Sequence, residues 1–170
     1  MGGDNGLMPN DHSFGSISTR VHAWADTLPE FAAEAVYHAD LTGPHVYTEF
    51  VAVADQVRRA RCAIEGWSQQ LGVPAVQEQD IVLAVDEAVS NAVDHAYPDT
   101  DGRLCLFAAC TTAARALRVI VADKGLWRPP PVEPGFRGRG LMMMQRLAEV
   151  FRLSHGPNGT TVMMGWSLAG

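Results

Sequence analysis

The chain is short of cysteine, of basic charge and of long apolar runs, and each shortage removes a class of function. Three of its 170 residues are cysteine. Cys62, Cys105 and Cys110 are odd in number and show no C-x-x-C spacing. Neither a disulfide framework nor a zinc site is expected, and reduced thiols in a cytoplasmic protein fit best. Thirteen Lys and Arg stand against nineteen Asp and Glu, for a formal net charge of -6. Such a chain lacks the broad basic surface that sequence-independent nucleic-acid binding needs, so no direct nucleic-acid partner is expected. Arg58, Arg59 and Arg61 cluster, as do Arg137 and Arg139; the first cluster reads as a solvated helix face. No apolar run reaches the roughly 18 residues of a membrane span, so no membrane partner is expected. The N-terminus has no basic region followed by an apolar one, and Gly6 stands where a myristoylation pattern needs Ser or Thr. Neither a secretory signal nor a lipid anchor is expected. GxxxxGK[ST] is missing, as are the HRD and DFG segments of eukaryotic-type kinases.

What is present is a globular composition, 47% hydrophobic and 19% charged, enough for one domain with a single core. Residues 1–45 read as an N-terminal extension, partly disordered: Gly, Asn, Asp and Ser dominate 1–20, and a short helix is expected around 30–38. Residues 46–170 carry the regular pattern. Strands are expected at 46–53, 103–110, 116–123 and 160–168, and helices at 55–71, 77–96 and 141–153. Between strand and helix, KGLWRPPPVEPGFRGRG (124–140) is a Pro/Gly-rich loop, long enough to suggest function. The order predicts an α+β fold, a two-layer α/β sandwich whose mixed, antiparallel-rich sheet is covered on one face by helices.

The helix at 77–96 carries the first chemical signal. Ile81, Val85, Ala88, Ala92 and Ala96 fall on one face, and Asp86, Ser90 and Asp94 on the opposite one. Glu87, Asn91 and His95, four apart, form a row along the apolar border. An Asn carboxamide is a hard neutral ligand for Mg²⁺, which keeps waters and substrate phosphates as its other ligands. A carboxylate one turn away can take a proton from a hydroxyl or water attacking a γ-phosphate. A neutral Asn, unlike a second Asp, does not raise the pKa of that base. Alone, E-x-x-x-N on a helix is most often a surface accident. Three further segments give it company. Asp123-Lys124-Gly125 ends a strand, Gly138-Arg139-Gly140 precedes a helix, and Gly159-Thr160-Thr161 opens the last strand. A strand-end Asp can accept the amino group of adenine, and a glycine-flanked helix start presents N–H groups and a positive dipole end to phosphate.

DEAVSNAVDHAY, DKGLWRPP, GRGLMMM and GTTV, in that order, resemble the four nucleotide-binding boxes of the GHKL ATP-binding fold, also called histidine-kinase-like. Within it they are most similar to the small bacterial anti-sigma-factor serine/threonine kinases. The resemblance covers about residues 46–168. It implies ATP and Mg²⁺ as cofactors, Glu87 as the general base and Asn91 as the Mg²⁺ ligand. Asp123 would bind adenine, and Gly125 would let the backbone approach the nucleotide. Gly138, Arg139 and Gly140, with the N–H groups of Leu141 and Met142, would hold phosphate. Thr160 or Thr161 would complete the adenine side, and His95 would line the nucleotide edge. The implied partners are a sigma factor and a STAS-like anti-sigma antagonist, with a homodimer as the assembly. Trp127 stands where D-x-G-x-G places a second glycine, and the lid, 126–137, is short and Pro-rich. Two functions follow. One is a protein serine/threonine kinase that phosphorylates the antagonist and sequesters a sigma factor. The other is a nucleotide-binding regulatory module that sequesters a partner without kinase activity.

Overall fold

The computed structural model describes residues 12–96, 102–126 and 139–168 (for 12–16 and 95–96, the backbone). Two helices come first, α1 (His12–Ala25) and α2 (Glu30–Tyr37). Strand β1 (His45–Val51) leads to helices α3 (Ala54–Gln70) and α4 (Ala75–Asn91). Strands β2 (Arg103–Cys110) and β3 (Ala116–Asp123) follow, then helix α5 (Arg139–Leu147), and strands β4 (Val150–Gly156) and β5 (Gly159–Ser167). The strands form one sheet in the order β1-β2-β3-β5-β4, antiparallel at every pairing. The architecture is α+β, as the order of elements predicts.

Alternation along the strands sends side chains to two faces. Leu104, Leu106, Ala108, Leu117, Val119, Val121, Val162, Met164 and Trp166 pack with Ala60, Ile64 and Trp67 of α3, the apolar face of α4, and Met144 of α5. This is the helix-covered face the sequence predicts. The second face carries Phe107, Ala109, Ile120 and Met163, and is also covered. Val21 and Ala25 of α1 and Ala32, Ala35 and Val36 of α2 close over it, with Trp24, Leu28 and Phe31 at their border. Residues 12–20, expected in a tail, are therefore the first turns of α1, and the extension adds a layer to the sandwich. Trp24 stands 5.8 Å from Phe107 and 5.4 Å from Tyr47, ring centre to ring centre.

Two boundaries depart from expectation. The helix expected over 141–153 ends at Leu147, and a strand, β4, occupies Val150–Gly156. Tertiary bonds end it: the Trp166 indole N–H donates to the Leu147 carbonyl at 2.8 Å, and Glu149 N–H to the Gly165 carbonyl at 3.0 Å. The helix expected over 77–96 is α-helical only to Asn91, and Ala92–Ala96 continue it as a single π-helical turn. Such turns gather at functional sites. Among the described residues, no helix is long and apolar enough to cross a membrane.

Candidate nucleotide-binding site

α4 buries Ile81, Ala84, Val85, Ala88 and Val89 against the sheet. That leaves Glu87 and Asn91 half-buried on its border, as their spacing predicts. The π-helical turn Ala92–Ala96 follows Asn91, and the His95 side chain lies outside the described residues. Asp94 is exposed. Asp86, expected on the same outward face, turns to α3 instead and forms an ion pair with Arg61. Asp86, expected only to face away from the core, is thus a tie between two helices, and Arg61 is more than a solvated-face residue. α3 and α4 are joined only by a short turn, and no spacing rule shows which cross-helix charges meet.

The N-terminus of α5 meets this border. A methyl group built on Gly140 would come within 2.5 Å of Glu87 Oε2 and 3.3 Å of Asn91 Nδ2. The structure therefore brings Glu87, Asn91 and Gly140 together, across some fifty residues of chain. In an α-helix the first few N–H groups have no carbonyl acceptor within the helix, and in α5 these include Gly140, Leu141 and Met142. Leu141 anchors the start by packing on the core, and Met144 is buried one turn later. Met142 remains 53% exposed. Arg139, the first residue of the helix, is exposed. Gly138, Trp127 and most of the expected lid (all but Leu126) lie outside the described residues.

The second cluster forms where β3 ends and β5 begins. Asp123 Oδ1 accepts the N–H of Gly125 at 2.8 Å and the N–H of Thr160 at 3.3 Å. Burial pushes the Asp123 carboxyl above the usual aspartate range, and these two N–H groups pull partly against it. Gly125 is itself buried. Gly159 has φ +119°, and a methyl group there would run into the Asp123 carbonyl oxygen and lie 2.7 Å from the Lys124 Cα. Only glycine lets β5 start so close to the end of β3. Strand alternation separates the two candidate threonines. Thr160 pairs with Asp123 and shares the helix-covered face with Val121 and Val162. Thr161 is buried and shares the second face with Met163. Thr160 stands with Asp123; Thr161 does not.

A carboxylate, a carboxamide and a helix N-terminus at one end, and a buried carboxylate among backbone N–H groups at the other, fit a phosphorylated ligand with a hydrogen-bonding base. The fit to Mg²⁺ is of a particular kind. Among the described residues, no group of three or more His, Cys, Asp or Glu could cage a metal. Asn91 offers one carboxamide oxygen, which suits an ion that takes its other ligands from water and phosphate.

Comparison with known proteins bears on the family and the fold. Residues 50–166 match the family described as "Histidine kinase-like ATPase domain". A structure of the RsbU and RsbW domains of Rv1364c from Mycobacterium tuberculosis is similar, with 24% identity and a TM-score of 0.62 over 92% of this chain. The chain covers 47% of that structure, about half its length. A blue-light activated histidine kinase from Erythrobacter litoralis is similar at 18% identity and a TM-score of 0.52, over 99% of this chain and 63% of its own. At these identities the likeness is one of fold.

Proposed function

The chain belongs to the histidine kinase-like ATPase family, and on that premise we propose that it is a protein serine/threonine kinase of the anti-sigma-factor type. It binds ATP with Mg²⁺, phosphorylates a STAS-like antagonist, and sequesters a sigma factor when the antagonist is displaced. The observation that carries this reading is the contact of Gly140 with Glu87 and Asn91, which sets a proton acceptor and a Mg²⁺ ligand against a phosphate-binding helix start.

The roles divide between the two clusters. Asp123 accepts the amino group of adenine, with Gly125 and Thr160 holding its carboxylate in place. Gly138 and the N–H groups of Arg139, Gly140, Leu141 and Met142 receive phosphate oxygens. His95 belongs to the nucleotide edge in this reading, and of the two candidate threonines Thr160, on the Asp123 face, rather than Thr161 completes the adenine side. Asn91 holds the Mg²⁺ ion, which neutralises phosphate charge when bound. Glu87 takes the proton of the attacking Ser or Thr hydroxyl. A phosphate placed on the antagonist then weakens its grip, since a dianion in a packed interface must be desolvated and repels nearby carboxylates. Residues 46–170 are the ATP-binding unit and residues 1–45 its extension, a division supported by the family match beginning at residue 50. The homodimer and the cytoplasmic location belong to this reading through the resemblance and the cysteine content.

Calorimetry of ATP binding with and without Mg²⁺, on the intact protein and on Asp123→Ala, is the test. Micromolar binding that is lost in Asp123→Ala supports the site; no binding at millimolar ATP would sink it. A second reading, a nucleotide-dependent sequestering module without kinase activity, is favoured by Trp127 in place of a glycine. It prevails if the intact protein binds ATP yet transfers no phosphate to its antagonist.

A further inference from the structure

Asp86 stands one residue before Glu87, and its carboxylate is committed elsewhere. It forms an ion pair with Arg61 of α3, with side-chain exposures of 15% for Asp86 and 49% for Arg61. Asp86 Oδ1 is buried with no hydrogen-bond partner among the described residues. As a source of stability this arrangement is poor. Desolvating a largely buried carboxylate cancels much of the Coulombic gain.

What the pair supplies is direction. Near Glu87, the contact with the core runs largely through small side chains: Ala84 and Ala88 of α4 and Ala92 just beyond it, with Val85 and Val89. Helix packing fixes rotation by interlocking ridges and grooves, and alanines give shallow ridges. A rotation of about 20° about the helix axis moves a side-chain tip about 5 Å from that axis by about 2 Å. A misplacement of about 1 Å in a reacting geometry can cost about 100-fold. Neighbouring residues on a helix differ by about 100°. Holding Asp86 toward α3 therefore sets where Glu87 faces, and Asn91 one turn later.

We infer that Arg61 and Asp86 are positioning residues: their ion pair sets the rotation of α4 so that Glu87 and Asn91 face the start of α5. Neither side chain touches the nucleotide. The inference rests on the ATP reading above and deepens it.

The test is calorimetry on the full chain, with ATP titrated once in excess Mg²⁺ and once in chelator. Arg61→Ala is the main variant, because half of that side chain is already in solvent and its loss leaves no hole in the core. The Mg²⁺-dependent gain in ATP affinity should fall about 10–100-fold, the usual range for residues that orient a metal ligand. Asn91→Ala should show the same loss. Affinity in chelator, which reads the Asp123 end, should stay within about twofold, as expected for distant sites. Asp86→Asn should repeat the pattern, and Arg61→Lys should restore part of the gain. An unchanged Mg²⁺-dependent gain in Arg61→Ala overturns the inference. So does an equal fall in both titrations, which would mean general loosening. If the wild-type chain binds no ATP, the functional reading fails before any variant is measured, and the inference falls with it.

Discussion

A methyl group added at Gly159 and one added at Gly140 would meet different materials. At 159 it would strike main chain, the Asp123 carbonyl and the Lys124 Cα, at a residue already holding φ +119°. At 140 it would press on the ends of two side chains, Glu87 and Asn91. The Asp123 end of the site is thus built from paired strands and cannot shift locally. The Glu87 end is built from side chains on two helices and can. A rigid end suits recognition of one fixed shape; a yielding end suits groups that must change partners during a reaction.

Several substitutions would break or sharpen that contrast. The largest effect is expected from Glu87→Ala. Phosphoryl transfer to the antagonist should drop about 10²–10⁴-fold, the usual contribution of a general base, while calorimetry shows ATP affinity largely kept. An equal loss in binding would mean that Glu87 holds ligand rather than a proton. Gly159→Ala should lower unfolding stability by about 2–4 kcal/mol in urea titrations, from left-handed backbone strain added to a main-chain collision. A change below about 1 kcal/mol would show that the rigid end is not rigid.

Asp123→Asn should weaken ATP binding about 10–100-fold, because the new amide donor faces the adenine amino group and leaves it unsatisfied. The apo protein should not suffer. Burial raises the Asp123 pKa, so the folded chain holds that proton more tightly than the unfolded one. Its contribution to stability is therefore greatest at low pH, and declines as pH rises from the ordinary aspartate range through the raised value. Melting curves across that window should lose this decline in Asp123→Asn. ATP affinity of the intact protein should move the opposite way and grow as Asp123 ionises. Smallest of all, Gly140→Ala should change stability by less than about 1 kcal/mol, since Glu87 can swing aside. Its Mg²⁺-ATP affinity should fall by about tenfold or less, a cost of no more than about 1.4 kcal/mol.

Much of the scaffold was legible in the chain because local pattern and tertiary demand agreed. β2 and β3 span 103–110 and 116–123 as alternation and the Thr-rich turn predict, and α3 and α4 begin within two residues of expectation. Failure came where two periods overlapped. Leu141, Met144, Ala148 and Phe151 continue a helical spacing past Leu147, and only the Trp166 and Gly165 bonds end the helix there. α1 escaped notice because HSFGSISTR is poor in apolar residues until Val21, Trp24 and Ala25, and its helix is held by a sheet face far along the chain. In the site, Glu87 and Asn91 could be placed by counting along one helix. The nearness of Gly140 to them, the pairing of Asp86 with Arg61, and the choice of Thr160 over Thr161 as the neighbour of Asp123 all depend on packing or register.

α1 and α2 lie over Phe107, Ala109, Ile120 and Met163 and keep that part of the second sheet face dry. A fragment begun at Val46 would retain every candidate site residue, yet it would expose that apolar face to solvent. Each 100 Å² so uncovered would cost about 2.5 kcal/mol, and an open patch of this kind invites self-association. The portion that holds the candidate site is, in handling terms, not portable: α1 and α2 are the coat that keeps it from sticking to itself.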